Sequence, residues 1–298
     1  MKLNDLSTEE KINLICGLLQ QAPPGEFRNV FEDLRLLVCD DHLMRHEAAQ
    51  VCANHTRNNF TTVSIRGERS LVTRHNDVGG NRFFDPQSKV SFRFDHLTRR
   101  ADKILHYQGA RRDGVELWRE TLNVTLENYV KKHFSSGNCR VYWKTLKSSP
   151  FFVVCIESHQ YKHFWNALWK SEWTLAITPP VTQVTGSITL QIHYFRKANL
   201  HWTASHNIEE SIYLINRTQF ALDFEKLIES EDNKFQIGLV ESLQVLSNEI
   251  WKMLRRRLPV TRTKILWKGL SLLNWAAQPH YTKFQVLHAE HDTIVSRD

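Results

Sequence analysis

Cys155, Glu157 and His159 are the residues that most resemble a catalytic set, because a thiol, a carboxylate and an imidazole occur at alternate positions. Alternate residues of a β-strand lie on one face, so the three side chains would be neighbours. A strand, however, places the Cα atoms of Cys155 and His159 about 13 Å apart. A nucleophile and its base must lie about 3 Å apart. We therefore predict a packed or interfacial strand face there, not an active site.

Cys39, His42 and His46 have the spacing of one helix face, which could supply part of a zinc site. A fourth ligand is not evident, and the H-E-x-x-H order of metalloproteases is absent. The sequence also contains neither a G-x-x-x-x-G-K-[ST] phosphate loop nor a G-x-G-x-x-G dinucleotide turn. We interpret the three residues as surface or capping residues, and we expect no enzyme activity, no metal and no cofactor.

A basic segment from residue 252 to residue 278 is the strongest candidate for function. No Asp or Glu occurs between Glu249 and Glu290, whereas the net charge of the whole chain is +7. Such asymmetry indicates an acidic partner: a protein surface, an anionic lipid or a nucleic acid. The basic residues of this interval are Lys252, Arg255, Arg256, Arg257, Arg262, Lys264, Lys268 and Lys283.

Pro259 divides the segment into a basic run and an amphipathic stretch. The ordinary interpretation of such a stretch is a terminal helix folded onto its own domain with a solvated basic face. Because the proline uncouples the segment from the preceding helix, and because no local acid neutralises it, we predict an arm that docks elsewhere. Aromatic residues are sparse and do not interleave the arginines, which argues against nucleic acid. The apolar stripe comprises Ile265, Leu266, Trp267, Leu270 and Leu273.

The composition is ordinary for a globular protein, with 298 residues of which 41% are hydrophobic and 24% charged. One large domain or two small ones would fit this length. No window approaches the roughly 18 apolar residues of a membrane span, and no apolar signal core begins the chain, so we expect a cytoplasmic location. The 5 cysteines include no C-x-x-C pair, which is typical of reduced thiols.

Helices are predicted at the start of the chain. Ser7-Thr8-Glu9-Glu10 is a capping-box pattern that begins the first helix, and Pro23-Pro24-Gly25 breaks the chain after it. Helical spacing predicts a second helix from Phe27 to Leu37 and a third from Asp41 to Asn54.

Short alternating stretches between residues 60 and 100 predict a small β-rich module. Its turns are marked by Gly79-Gly80 and Asp85-Pro86. The pattern from Val115 to Phe134 is helical again.

The clearest structural signal lies at residues 165 to 177, where odd positions are mainly apolar and even positions mostly polar. This period of two predicts a long strand with one buried face. Residues 187 to 194 repeat the alternation. Further strand candidates at 139 to 146, 151 to 159 and 199 to 206 have turn-length connections, which predicts an antiparallel meander.

Asn207 with Glu210 predicts the start of a helix that meets no proline until Pro259. Such a helix would extend roughly 65 to 70 Å and would outrun a single domain. It would lie across a sheet wider than one subunit supplies, which indicates an obligate dimer. Its apolar stripe would comprise Ile212, Phe220, Phe224, Leu227, Phe235, Leu239, Leu243, Leu246 and Ile250.

Several peptides of this sequence resemble signature stretches of F-actin capping protein alpha subunits, in the order of that family. Leu258 to Ile265, followed by Trp267, resembles the start of the family's C-terminal tentacle. The resemblance covers about residues 7 to 275. The other matching peptides are Gln21 to Phe27, Arg82 to Pro86, Cys155 to Gln160 and Trp169 to Trp173.

The resemblance implies an α+β fold within a mushroom-shaped heterodimer of an alpha and a beta subunit. It implies a helical stalk at residues 1–58 and a small β module at 59–114. Residues 115–258 would form a helix, an antiparallel sheet meander shared with the beta subunit and one long helix crossing it. Residues 259–298 would form a basic amphipathic tentacle.

The function implied is binding to the barbed ends of actin filaments, without catalysis, so that subunit addition and loss are blocked. By motif position, the family's main contacts with acidic actin correspond to Lys252, Arg256 and Arg262. The full predicted actin-binding set is Lys252, Arg255, Arg256, Arg262, Lys264, Ile265, Leu266, Trp267, Lys268, Leu270 and Leu273.

Two other functions remain open from the sequence. One is a non-capping cytoskeletal scaffold that keeps the heterodimer, and the other is binding of anionic lipid through the basic tail. Acidic regulators or phosphoinositides are further expected partners of that tail, and nucleic acid is not.

The chain departs from somatic alpha subunits at several positions. Leu266 replaces an aspartate, Arg257 replaces a glutamine, and the tail continues from Pro279 to Asp298. Phe83-Phe84 and Thr182 to Gly186 resemble the divergent germ-cell alpha isoform more closely, as does Leu246 to Glu249.

Overall fold

A computed structural model describes residues 7–107, 113–146, 149–162, 165–195 and 199–245. The helices are α1 (Thr8–Gln20), α2 (Phe27–Val38), α3 (Asp41–Asn58), α4 (Asp113–His133) and α5 (Arg217–Val245). The short strands are β1 (Thr61–Ile65), β2 (Glu68–Val72), β3 (Asp77–Gly79), β4 (Arg82–Asp85), β5 (Val90–Asp95) and β6 (Arg100–His106). The long strands are β7 (Asn138–Leu146), β8 (Ser149–Tyr161), β9 (Trp165–Ala176), β10 (Val181–Tyr194) and β11 (Leu200–Tyr213).

The predicted capping box begins α1. The Ser7 hydroxyl accepts a hydrogen bond from the Glu10 amide, and the Glu10 carboxylate accepts one from the Ser7 amide. Cys39 adopts a left-handed conformation (φ 52°) and ends α2, so that α3 can fold back. The third helix ends at Asn58, four residues later than predicted. A separate apolar cluster that includes Ile15, Leu19 and Met44 holds α1, α2 and α3 together.

The small β module consists of the β1–β2 hairpin and an antiparallel sheet in the order β3-β4-β5-β6. Phe83, Phe92 and Phe94 form its core together with Val63 and Val72 of the hairpin.

Buried Arg140 of β7 joins this module to the large sheet. Its Nε donates to Asp85 Oδ1 at 2.8 Å, and it also donates to backbone carbonyls on both sides. A buried ion pair with its remaining hydrogen bonds satisfied fixes one element relative to another.

The large sheet is antiparallel throughout, in the order β11-β10-β9-β8-β7, which confirms the predicted meander. Helices α4 and α5 pack on one face, over Trp169 and Trp173, which are 1% and 0% exposed. One-sided burial of β9 was predicted and is wrong, because Asn166 and Leu168 on the opposite face are also buried. At β7 and β8 that second face is covered by residues that include Phe60, which precedes the β1–β2 hairpin, and Leu71, which lies in β2.

The predicted start of the long helix is wrong. Residues from Asn207 to Tyr213 continue β11, which pairs with β10 along its full 14 residues, and α5 begins only at Arg217. The cap is Asn216, whose side-chain oxygen accepts a hydrogen bond from the Gln219 amide at 2.8 Å. The apolar spacing of Ile208 and Ile212 fits a helix or a strand, and the available partner strand decides in favour of the strand.

The described part of α5 would span about 43 Å. The predicted continuation beyond Val245 lies outside the described residues. None of the described helices has the length and apolarity needed to cross a bilayer.

Candidate functional site

The predicted actin-binding residues lie outside the described residues, which end at Val245. They are Lys252, Arg255, Arg256, Arg262, Lys264, Ile265, Leu266, Trp267, Lys268, Leu270 and Leu273. The structure does describe α5, the helix that precedes them in the chain, and how that helix is fixed to the sheet.

Aromatic contacts hold α5 against the sheet and α4. The ring of Phe224 lies edge-on to buried Trp173, with centroids 6.0 Å apart, and Phe235 lies 5.5 Å from the ring of Trp169. Phe220 makes a similar contact, at 5.7 Å, with Trp118 of α4. Edge-to-face pairs of buried rings add about 0.5–1.5 kcal/mol each beyond the area that they bury. The axis of α5 is therefore fixed at several points along its length.

Polar contacts secure the middle of the same helix. The Tyr129 hydroxyl of α4 donates to Asp232 Oδ2 at 2.5 Å, and Asp232 is 1% exposed. Burial, followed by the nearby Asp232 carboxylate, raises the pKa of Tyr129 above its ordinary value, so the phenol stays a donor. His206 of β11 and Lys234 both lie beside buried Glu231, with nitrogen–oxygen distances of 3.6 and 2.6 Å. These contacts place the Tyr129 hydroxyl of α4, the His206 ring of β11 and the Lys234 side chain of α5 beside buried carboxylates of α5.

Strand β11 forms one edge of the sheet and is hydrogen-bonded only to β10 among the described strands. Most of its side chains are exposed; its last residue, Tyr213, is 73% exposed, and Ile215, just beyond the strand, is 74% exposed. The opposite edge, β7, packs beside α4 and β2. A long exposed edge presents unpaired backbone groups to another strand. The sequence carries a weak signal for the extra length of β11, because the four-residue spacing of Ile208 and Ile212 fits one strand face as well as one helix face.

Cys155, Glu157 and His159 do lie along β8, but they do not form a nucleophile and its base. Burial raises the pKa of the Cys155 thiol well above its ordinary value, and the residue is 0% exposed. His159 Nδ1 contacts Glu157 Oε1 at 2.6 Å, and the Thr62 hydroxyl donates to Glu157 Oε2 at 2.6 Å. Glu157 thus links β1 to β8. The three residues lie on a packed strand face, as predicted.

Cys39, His42 and His46 do not occupy one continuous helix, because the left-handed Cys39 separates α2 from α3. The Cys39 thiol donates to the Leu36 carbonyl at 3.0 Å. The His46 side chain lies outside the described residues. Within the described parts of the chain, no group of three His, Cys, Asp or Glu residues is arranged to hold a metal ion.

Comparison with known proteins shows similarity along almost the whole chain. The model of the family "F-actin capping protein alpha subunit" matches residues 15–275. The F-actin-capping protein subunits alpha-3 of Mus musculus and Homo sapiens are 45% and 44% identical over 283 residues, covering 94% of this chain and 94% of each relative. The alpha subunit of Caenorhabditis elegans is 30% identical, covering 89% of this chain and 95% of the relative.

A solved structure supports the same fold. The homodimeric actin capping protein alpha subunit from Plasmodium berghei has a TM-score of 0.67 at 18% identity, covering 78% of this chain and 91% of that one. The predicted resemblance to the germ-cell alpha isoform is confirmed by the alpha-3 similarity. By the extent of the family match and these identities, the chain belongs to the F-actin capping protein alpha subunit family.

Proposed function

We propose that this chain is the alpha subunit of a heterodimer that caps the barbed ends of actin filaments, blocking subunit addition and loss without catalysis. The observation that carries the proposal is the family match over residues 15–275, which includes residues 252–275 of the basic segment. We further propose that the protein acts in the cytoplasm, at the actin cytoskeleton.

The proposed contact with actin is the tail that follows α5. Lys252, Arg256 and Arg262 attract the acidic filament end, and the apolar stripe from Ile265 to Leu273 slows release. In support, α5, the last described element before the tail, is anchored to the sheet by buried aromatic rings.

The proposed contact with the beta subunit is the open edge of β11. Its 14 residues would allow a partner strand to continue the antiparallel sheet, and the exposed side chains of Tyr213 and Ile215 would be covered in the same step. The four-part division into stalk (1–58), β module (59–114), central body (115–258) and tentacle (259–298) is part of this proposal.

Assembly is tested by expressing the chain alone and with a beta subunit. Alone, it should aggregate, because the β11 edge and the apolar residues beside it stay uncovered. Analytical ultracentrifugation that found a stable, monodisperse monomer with a cooperative thermal transition would contradict obligate pairing.

Capping is tested with the co-expressed heterodimer in a pyrene-actin elongation assay seeded from filament barbed ends. We expect potent inhibition of elongation at substoichiometric heterodimer. A heterodimer that assembles normally but leaves elongation unchanged would favour the non-capping scaffold. Binding to anionic vesicles without inhibition would favour lipid binding by the tail.

A further inference from the structure

The hairpin of β10 and β11 carries two histidines side by side. His193 and His201 are directly opposite each other in the antiparallel register, so their side chains lie on the same face of the sheet. Their ring centroids are 6.4 Å apart, with the ring planes at 80°. The histidines that form ion pairs with carboxylates, within the part of the chain that the structure describes, are other ones. No carboxylate of that part therefore competes for the two imidazoles.

The hydrogen bond of His193 decides which of its ring nitrogens has a free lone pair. Nε2 lies 2.8 Å from Oδ1 of Asn199, and because a carbonyl oxygen can only accept, Nε2 is the donor. In a neutral imidazole the other nitrogen, Nδ1, then carries the lone pair. His193 is 6% exposed, and its Nδ1 is buried without a hydrogen-bond partner among the described residues. Buried polar atoms of native proteins are normally paired, so this nitrogen requires a partner from outside the described chain.

The same arrangement is typical of a histidine that binds a metal ion. Such a histidine donates its second ring N–H to a neighbouring oxygen, which holds the ring in place, and Asn199 supplies that oxygen here. His201 offers a second nitrogen. Burial, followed by the nearby His193, lowers the pKa of His201 below its ordinary value, so this ring is neutral at pH 7 and also carries a lone pair.

The spacing of the two rings suits a shared ion after a small movement. Metal–nitrogen bonds of about 2.0–2.1 Å place an ion roughly 3.2 Å from each ring centroid, so two rings of a tetrahedral site lie about 5.2 Å apart. The separation of 6.4 Å therefore has to shorten by about 1 Å. His201 is exposed, and a rotation of its side chain supplies this movement while buried His193 stays in place.

We propose that His193 and His201 bind one divalent transition-metal ion, of the kind that favours imidazole, such as Zn²⁺ or Cu²⁺. The ion would join β10 to the edge strand β11 at the end of their hairpin. Imidazole selects these ions over Mg²⁺ and Ca²⁺, which favour oxygen ligands.

Water completes the coordination of the proposed ion. In the described ranges no third His, Cys, Asp or Glu residue joins the pair, and residues 196–198, which connect the two strands, lie outside those ranges. With two protein ligands, the site should bind its ion more weakly than a structural zinc site with four. A beta subunit that pairs with the backbone of β11 leaves these side chains in place, so the site is compatible with the proposed heterodimer.

Binding is tested by isothermal titration calorimetry of the metal-free, co-expressed heterodimer with zinc chloride. We expect a saturable site whose affinity falls at least tenfold in His201→Gln, an exposed substitution, and in His193→Gln. The matched control is His206→Gln, which changes another histidine of β11 that lies beside Glu231 and not beside His193. This control should keep the wild-type affinity, and magnesium chloride should give no binding at the site.

Pulsed EPR of the heterodimer with one equivalent of Cu²⁺ counts the imidazoles that coordinate the ion. The wild type and His206→Gln should show two coordinated imidazoles, and His201→Gln should show fewer. The proposal is overturned if the wild type binds no Zn²⁺, if His201→Gln binds Zn²⁺ as tightly as the wild type, or if the EPR signal is the same in both. Actin is absent from both measurements, so a failure here and a failure of filament capping are distinguishable.

Discussion

Gly186 of β10 lies directly opposite Trp173 of β9, and the pair provides a sharp test of how α5 is held. A Cβ atom at Gly186 would lie 2.3, 2.5 and 2.9 Å from three atoms of the Trp173 ring. The ring cannot move away freely, because Trp173 is 0% exposed and Phe224 of α5 packs against it. Gly186→Ala should therefore displace the Trp173 ring and, with it, the surface against which Phe224 of α5 packs.

The expected loss of stability for Gly186→Ala follows from the rigidity of the neighbouring Trp173 ring. Overpacking a core by one methyl group costs about 1–3 kcal/mol, and a rigid indole places Gly186→Ala in the upper half of that range. If this chain unfolds as one unit, a loss of about 2 kcal/mol should lower the melting temperature by roughly 3 °C, and by less if the beta subunit unfolds together with it. The control is Ser187→Ala, which removes only a hydroxyl at the next position, on the opposite sheet face, and should change stability by less than about 0.5 kcal/mol.

The measurement is thermal unfolding of the co-expressed heterodimer at one fixed concentration, for the two single variants Gly186→Ala and Trp173→Phe and for the double variant. Trp173→Phe alone leaves a cavity, but it provides the space that the new methyl group needs. The double variant should therefore be less destabilised than the sum of the single variants, by about 1 kcal/mol or more. A neutral Gly186→Ala, or strictly additive effects, would refute this account of the contact.

Three further predictions concern pH and the tail. Burial, followed by the charge of Arg57, lowers the pKa of His96 in the folded chain to about 4. In the unfolded chain the pKa of a histidine is about 6.5, so below pH 6.5 the unfolded chain binds a proton at His96 that the folded chain does not. The unfolding free energy should therefore fall by about 1.5 kcal/mol between pH 6.5 and 5, and His96→Phe should reduce that slope in melting curves; an unchanged slope would contradict this prediction. Reversing Lys252, Arg256 and Arg262 to Glu should slow association with barbed ends while leaving the melting temperature nearly unchanged, and an equal association rate across a salt series would exclude an electrostatic role. Leu266→Asp should raise the dissociation rate several-fold in dilution-induced depolymerisation, because a buried leucine contributes roughly 1.5–3 kcal/mol; a lower rate would show that the tail docks on its own subunit.

The large sheet was predictable because its signal is local. A period of two over residues 165 to 177 and 187 to 194 requires only that one face be buried, and the short connections then leave an antiparallel meander as the simplest topology. The capping box at Ser7 was equally local, since its two hydrogen bonds join residues three positions apart.

What the sequence could not supply depends on contacts between distant segments. The burial of Asn166 is an example, since its side chain donates to Glu26 Oε1 at 3.0 Å across 140 positions of the chain. The boundary between β11 and α5 was misplaced for a related reason: Ile208 and Ile212 fit both periods, and only the length of β10 decides between them. The pairing of His193 with His201 likewise depends on the register between β10 and β11.

The proposed contacts of this chain with actin and with the beta subunit are connected through one rigid element, α5. Helix α5 begins just after the open edge of β11, and its described part ends at Val245, seven residues before Lys252, the first residue of the basic segment. Between these points Phe224 packs against Trp173 and Phe235 against Trp169, both in β9. The helix therefore cannot rotate without disturbing the core of the sheet. A beta subunit that extends the sheet at β11 would stabilise the platform on which α5 lies, and with it the described end of the helix that is nearest to the tail. Pairing and capping would then be coupled without any direct contact between the beta subunit and the tail. On this reasoning, Gly186→Ala should weaken capping even in a heterodimer that assembles fully, although the substitution lies inside the sheet and leaves every charge of the tail in place.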